Sequence, residues 1–305
     1  MTILELLVSF KQMSLMKGIL SCLLVTFAAV SGCVILGFWK IVTRISASNA
    51  EPLLSRKADY TIVWWSLVNQ KMIQWLGLSK VTIDINTSNP LDLQKWYLIF
   101  CNHQTWVDIL ILQTSLLQLI APIKFFTKSQ LKWVPFIGIA MYGLDFPYVK
   151  RATREQIKSN PALATLDRDN IFEACERFKN HPTCILNFLE GTRFSPAKHQ
   201  QRNSKYTHLL SPKIGGASYV LEAMHDHLDS ILDITIYYPE GVPTFWDFLS
   251  GKNKNVIMQI KDFPIPEQSG PSSSHHKREV QSLVEKIWEE KDLYLQDLTQ
   301  ESLVS

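Results

Sequence analysis

The longest apolar stretch runs from Gly18 to Trp39, GILSCLLVTFAAVSGCVILGFW, 22 residues without a charge between Lys17 and Lys40. As a helix, at about 1.5 Å per residue, it reaches roughly 33 Å, enough to cross a hydrocarbon core of about 30 Å. A cleaved leader would have an apolar region of only about 7–15 residues. A buried soluble helix would show a polar stripe, whereas only Ser21, Thr26 and Ser31 interrupt this surface. The run therefore predicts a transmembrane or membrane-inserted helix. Lys40, Arg44, Arg56 and Lys57 follow it, against Lys11 and Lys17 before it, a bias that puts the body of the chain on the cytoplasmic side.

Beyond it, Ala47 to Lys57 is polar and reads as a linker, and Tyr60 to Leu78 sets apolar residues, including Trp64, Trp65 and Trp75, at helical spacing. WYLIFC, Trp96 to Cys101, is continuously apolar, as a strand covered on both faces must be. Val107 to Ile120 is a helical run and IKFF, Ile123 to Phe126, a second strand. Strand, helix and strand in about 30 residues make a βαβ unit, with parallel strands and a right-handed crossover. A helix is expected over Ala164 to Asn180, and strands at CILNFL (Cys184 to Leu189), ILDITIYY (Ile231 to Tyr238) and Val256 to Ile260. EQSGPSSSHHK, Glu267 to Lys277, reads as loop, and Glu279 to Gln296 as a charged amphipathic helix. The expected class is α/β, a mixed, largely parallel sheet flanked by helices. The expected division is a membrane anchor at 1–46, a central domain at 47–270, and a C-terminal loop and helix at 271–305.

Composition narrows the classes. With 305 residues and 46% of them apolar, the chain can bury an ordinary core and is not a disordered one. Thirty-one basic residues against 28 acidic ones are too balanced for a nucleic-acid coat. Five cysteines, Cys22, Cys33, Cys101, Cys175 and Cys184, form no CxxC pair, which fits a reduced, cytosol-facing protein with no metal site. No P-loop or dinucleotide fingerprint is present.

Two short segments could carry chemistry. Asn102-His103-Gln104-Thr105-Trp106-Val107-Asp108 follows a buried strand and opens a helix, where ligand sites of open α/β sheets lie. Residues five apart on one helix point about 140° away from each other, so a His103–Asp108 bond requires the histidine to sit in the preceding turn. A carboxylate on one ring nitrogen would leave the other to accept a proton from a hydroxyl. Glu190-Gly191-Thr192-Arg193 stands in the same relation to its own strand, and Arg193 offers a planar fork suited to phosphate. Basic residues surround both segments: Lys198, Arg202, Lys205 and Lys213 on one side, and Lys124, Lys128, Lys132, Lys150, Arg151, Arg154 and Lys158 on the other. They could face one anion, or form a rim beside an anionic membrane. A thiol nucleophile at Cys101, two residues from His103, is a rival reading.

NHQTWVD and FLEGTR resemble the NHxxxxD and FPEGTR motifs of the glycerolipid acyltransferases, the 1-acylglycerol-3-phosphate acyltransferase family. Between them, Lys128-Ser-Gln-Leu131-Lys-Trp-Val-Pro135-Phe-Ile-Gly138 resembles the family's second block, and Tyr148-Val-Lys-Arg151 its ending. Pro212-Lys-Ile-Gly-Gly216 fits the fourth block. Leu189 stands where the family has proline, as in some lysophospholipid and lysocardiolipin acyltransferases, and the proline expected near Ser230 or Ile231 is missing.

The resemblance implies that His103 is the general base and Asp108 orients it. Lys128, Arg151 and Arg193 would hold the acceptor phosphate, with Glu190, Gly191 and Thr192 shaping the site. The implied reaction moves a fatty acyl group from acyl-CoA or acyl-carrier protein, a co-substrate rather than a cofactor, to the free hydroxyl of a lysophospholipid. The nearest implied acceptor is 1-acylglycerol-3-phosphate, another lysophospholipid being the alternative. The implied setting is membrane lipid, at a bacterial inner membrane with the catalytic domain facing the cytoplasm. A catalytically silent lipid-binding or scaffold protein of the same fold is the competing class.

Overall fold

Continuous apolar strands and amphipathic helices alternate along the chain because the sheet they build is covered on both faces. The computed structural model describes residues 3–45, 51–128, 133, 136–144, 146–149, 158–159, 163–267 and 273–304. Among them, six strands form one sheet: β1 (Lys80–Asn86), β2 (Tyr97–Cys101), β3 (Ile123–Phe125), β6 (Cys184–Phe188), β7 (Ser230–Tyr237) and β8 (Asn255–Phe263). Their order is β1-β8-β7-β2-β6-β3, and every neighbouring pair is parallel except β7 with β8. A small parallel pair, β4 (Thr127–Lys128) with β5 (Tyr148–Val149), stands apart from it. This is the mixed, largely parallel sheet that the sequence predicts.

Side chains alternate across the strands and feed two cores. Ile99, Cys101, Leu186 and Ile234 face α2 (Glu51–Leu76) and α3 (Val107–Ser115). Leu98, Phe100 and Ile185 face α5 (Leu163–Phe178), α7 (Gly215–Met224) and α9 (Ser273–Val304). The short helices α4 (Ile137–Gly143), α6 (Pro196–Arg202) and α8 (Phe245–Leu249) lie on connections. Three boundaries differ from expectation. Helix α2 begins at Glu51, inside the expected linker, and α9 begins at Ser273, inside the expected loop. Helix α3 ends at Ser115, where its last turn gives way to tight turns before Ile120.

The apolar run is part of α1 (Ile3–Ile45), which meets the length and composition of a membrane span over Lys11–Val42. Met16, Ile19, Leu23, Phe27, Val30, Val34, Phe38 and Ile41 form an exposed apolar stripe at helical spacing. The opposite stripe is small and packed against the body. The Ser14 and Ser21 hydroxyls donate to the carbonyls of Ser250 and Leu249, each at 3.0 Å. At Gly18 a Cβ would lie 2.7 Å from the Trp246 ring, which would have to shift to admit a larger residue. Farther along, Cys33 Sγ donates to the Phe136 carbonyl at 3.3 Å, and Leu36 lies against Gly143. An outward face of this kind is what lipid contact selects and what water does not.

A buried ion group fastens α2 to the sheet edge. Asp59 Oδ1 lies 2.9 Å from Lys124 Nζ on β3, and Asp59 Oδ2 lies 2.6 Å from His181 Nε2 in the turn before β6. Burial alone pushes the Asp59 carboxyl upward, but Lys124 and His181 outweigh it and hold the group below the ordinary carboxylate range. Lys124 is thus a buried structural cation, also seated over the Phe178 ring, and not part of an anion-facing rim. Asp59→Ala leaves that ammonium unpaired in the interior, a loss of about 3–5 kcal/mol. We expect Tm to fall by on the order of 10 °C in differential scanning calorimetry. A fall of less than about 2 °C would show that the group contributes little.

Candidate active site

Strand register brings the two motif loops together. In the parallel β2–β6 pair Cys101 sits opposite Phe188, so two residues later His103 and Glu190 leave the sheet side by side. The loops then bond across: the N–H of His103 donates to Glu190 Oε1 at 2.8 Å, and the N–H of Phe194 donates to the His103 carbonyl at 2.6 Å. Asn102 continues the sheet with its side chain. Its Nδ2 donates to the Ile236 carbonyl and its Oδ1 accepts from the Ile236 N–H, both at 2.9 Å. A peptide-like amide is the side chain that can do both, which accounts for an asparagine before the histidine.

His103 lies in the turn before α3, as its spacing from Asp108 requires, with its ring Nδ1 2.8 Å from Asp108 Oδ2. Asp108 has no exposed surface, and its oxygens are fully committed. Oδ2 also accepts from the N–H groups of Gln104 at 2.6 Å and Thr105 at 2.9 Å, and Oδ1 accepts from the Tyr238 hydroxyl at 2.6 Å. A carboxylate so bonded acts as acceptor, so Nδ1 carries the hydrogen and Nε2 keeps its lone pair. Among the described residues Nε2 has no protein partner. The ring stacks on Phe188 with centroids 3.9 Å apart and planes 16° off parallel, and its side chain is 12% exposed, so one edge reaches solvent.

Glu190 is buried, with Oε1 on the His103 N–H and Oε2 on the Leu210 N–H at 2.9 Å. Burial raises its carboxyl from 4.5 to about 7, against the downward pull of the two N–H groups and of Lys291. Its side chain meets peptide groups, not open space. Gly191 takes the positive φ of 68° that the turn needs. From α6, Lys198 Nζ donates to Thr192 Oγ1 at 3.0 Å and to the Arg193 carbonyl at 2.9 Å, while Arg202 donates to the Glu190 carbonyl at 2.9 Å. These two cations, candidates for an anion rim by composition, brace the turn instead. Arg193 is exposed, its guanidinium 5.0 Å above the Trp106 ring in the neighbouring loop.

The structure therefore gathers His103, Asp108, Glu190, Gly191, Thr192 and Arg193 at the carboxyl ends of β2 and β6. Lys128 ends β4, where only its backbone is described, and Arg151 lies outside the described residues. Cys101 is fully buried, and burial pushes its thiol well above the ordinary range, leaving it protonated and inert. Sequence reasoning includes Asn102 within the motif without giving it a role, and assigns none to Tyr238, Phe188 or Trp106. Only the tyrosine left a signal: a polar aromatic ending an apolar strand needs a partner for its hydroxyl.

The chain has relatives of known name. It is 28% identical over 250 residues to lysocardiolipin acyltransferase 1 of Gallus gallus, a match covering 77% of this chain and 61% of that protein. It is 24% identical over 289 residues to human 1-acyl-sn-glycerol-3-phosphate acyltransferase gamma, covering 88% of this chain and 71% of the relative. The crystal structure of the 1-acyl-sn-glycerophosphate (LPA) acyltransferase PlsC from Thermotoga maritima superposes with a TM-score of 0.51 at 17% identity, over 91% of this chain and 97% of that one, a likeness of fold. The family model named Acyltransferase matches residues 82–239, which hold both motif loops and all of β2, β6 and β7. On that match, over half of its length, the chain belongs to the acyltransferase family.

Proposed function

We propose that this chain transfers a fatty acyl group from acyl-CoA or acyl-carrier protein to the free hydroxyl of a lysophospholipid, first among them 1-acylglycerol-3-phosphate. The observation that carries the reading is His103: Nδ1 is tied to a fully committed Asp108, and Nε2 is open at a solvent-reaching edge. Nε2 takes the proton of the acceptor hydroxyl as its oxygen attacks the thioester carbonyl carbon. The tetrahedral intermediate collapses with cleavage of the C–S bond, and the departing thiolate takes the proton from the imidazolium. Asp108 orients the ring through Nδ1. Buried, protonated Cys101 supplies no nucleophile, which favours direct transfer over an acyl-enzyme.

Arg193 reads the acceptor phosphate in this proposal, joined by Lys128 and Arg151, with Gly191 and Thr192 forming the turn that presents it. The Arg193 guanidinium lies 5.0 Å over the Trp106 ring, a cation–π contact that keeps it beside the His103 loop. Residues 1–46 supply the membrane contact, 47–270 the acyl-transfer unit and 271–305 its supporting helix. The basic flank after the apolar run favours a cytoplasmic face, that of the inner membrane if the cell is bacterial. Leu189 in place of proline, together with a relative named for lysocardiolipin, favours a second acceptor class, which a panel of lysolipids assayed with one labelled acyl-CoA would separate.

With full-length protein in mixed micelles, His103→Ala is expected to lower kcat by about 100–10,000-fold while the fold is retained. Wild-type turnover in that variant would overturn the assignment. Tyr238→Phe keeps the ring and removes the hydroxyl on Asp108, so we expect kcat to fall about tenfold with both KM values unchanged. A change confined to KM would move Tyr238 from positioning to binding. Glu190 supplies a test by pH. Its folded form binds its proton more tightly than the unfolded chain, so its stabilising contribution is complete below about pH 4.5 and is lost as pH rises through about 7. The span is about 3 kcal/mol. The stability advantage of wild type over Glu190→Gln should shrink accordingly between those values in urea unfolding, whereas a flat difference would show that the carboxyl does not titrate there.

A further inference from the structure

Helix α9 lies outside the matched residues 82–239, yet it reaches the catalytic loops through one connecting segment. Val280, Val284, Ile287, Trp288 and Leu295 bury its inner face in the second core. From that anchored face Trp288 Nε1 donates to the Leu210 carbonyl at 3.0 Å. Asp292 accepts from the N–H groups of Thr207 at 2.8 Å and His208 at 2.7 Å, one on each carboxylate oxygen. Lys291, buried beside them, sets its ammonium 2.8 Å from Asp233 Oδ1 and donates to the Ile234 carbonyl at 2.6 Å, which locks α9 to β7. The N–H of that same residue is what matters: Leu210 N–H donates to Glu190 Oε2, and Glu190 Oε1 accepts from the N–H of His103.

We propose that α9 is a positioning element for His103, acting through Trp288 and Asp292 on residues 207–210 and through Leu210 and Glu190 on the histidine backbone; the catalytic consequence rests on the acyl-transfer reading above. The physical reason is satisfaction of a buried carboxylate. Glu190 has two peptide N–H partners supplied by its side chain's surroundings, and the one at Leu210 belongs to a loop that α9 holds from outside at three polar contacts. Released from α9, the loop can withdraw its N–H, and a buried carboxylate with one donor must reorient or take a proton. Either response loosens the bond that fixes the His103 peptide. The exposed Lys205–Glu289 pair, at 2.9 Å, spans the same two elements and contributes little to this, being bathed in solvent.

The test uses full-length Asp292→Ala and Trp288→Phe, the second of which removes the indole N–H and retains an aromatic ring in the core, with Glu289→Ala as control. In hydrogen-exchange mass spectrometry we expect exchange to rise about tenfold in peptides covering 102–106 and 207–210, with β1 and β8 unchanged. In the acyl-transfer assay we expect kcat to fall about tenfold while KM for lysolipid and for acyl-CoA holds. Unchanged protection of 102–106 in both variants, or equal loosening across all strands, would overturn the proposal and leave α9 a packing helix. Local loss of protection in a chain that shows no turnover would uphold the positioning and remove the acyl-transfer reading instead.

Discussion

Keeping a carboxylate inside a protein is costly unless peptide donors replace the water it loses, and Glu190 shows how the site is arranged around that requirement. Its two donors come from His103 and Leu210, 87 and 20 residues away along the chain, so the carboxylate is satisfied only when three segments have converged. The strand register delivers the first, because Cys101 opposite Phe188 sets His103 beside Glu190. The C-terminal helix delivers the second by holding the loop that carries Leu210. The motif glutamate thus serves the backbone of the histidine rather than open space, and its burial is a condition of the geometry.

Much of this was legible in the pattern of the chain. The strands β2, β6 and β7 are recognisable because both faces are covered, which forces predominantly apolar runs such as YLIFC and CILNF. Edge strand β1 escaped notice because its alternation, Val81, Ile83 and Ile85 among Thr82 and Asp84, is short and only half-buried. The His103–Asp108 bond could be inferred from five-residue spacing plus a helix start. The Asp59–Lys124–His181 group could not, since its members lie on three elements and each resembles a surface charge in isolation. Composition likewise gave Lys198 and Arg202 to an anion, whereas the positive φ at Gly191 leaves carbonyls at the turn that those two cations satisfy.

The carboxylates of Asp108 and Glu190 divide one task. Asp108, at the first turn of α3, receives donors from a side-chain ring, two peptides and a phenol, and the helix N-terminus favours its charge. It fixes the rotation of the imidazole. Glu190 fixes where the imidazole's backbone stands. Losing either one leaves the histidine present but free in one coordinate, and a displacement of about 1 Å is enough to cost a hundredfold in a reaction that depends on alignment.

Direct transfer makes that alignment more demanding than an acyl-enzyme route would. In the proposed direct transfer, with Cys101 buried and protonated, hydroxyl, thioester carbon and Nε2 must meet at once. Two of the three arrive with mobile substrates, and the third is therefore the one the fold can fix beforehand. Phe188 stacked beneath the ring, Asp108 at Nδ1 and Glu190 at the peptide remove the remaining freedom of His103 before any substrate enters. Coupling a lipid acceptor to this fixed point is the role proposed for Arg193, an exposed cation 5.0 Å over the Trp106 ring of the neighbouring loop. A site so built needs its precision in the frame and its tolerance at the rim, which is the distribution of burial seen between Glu190 and Arg193.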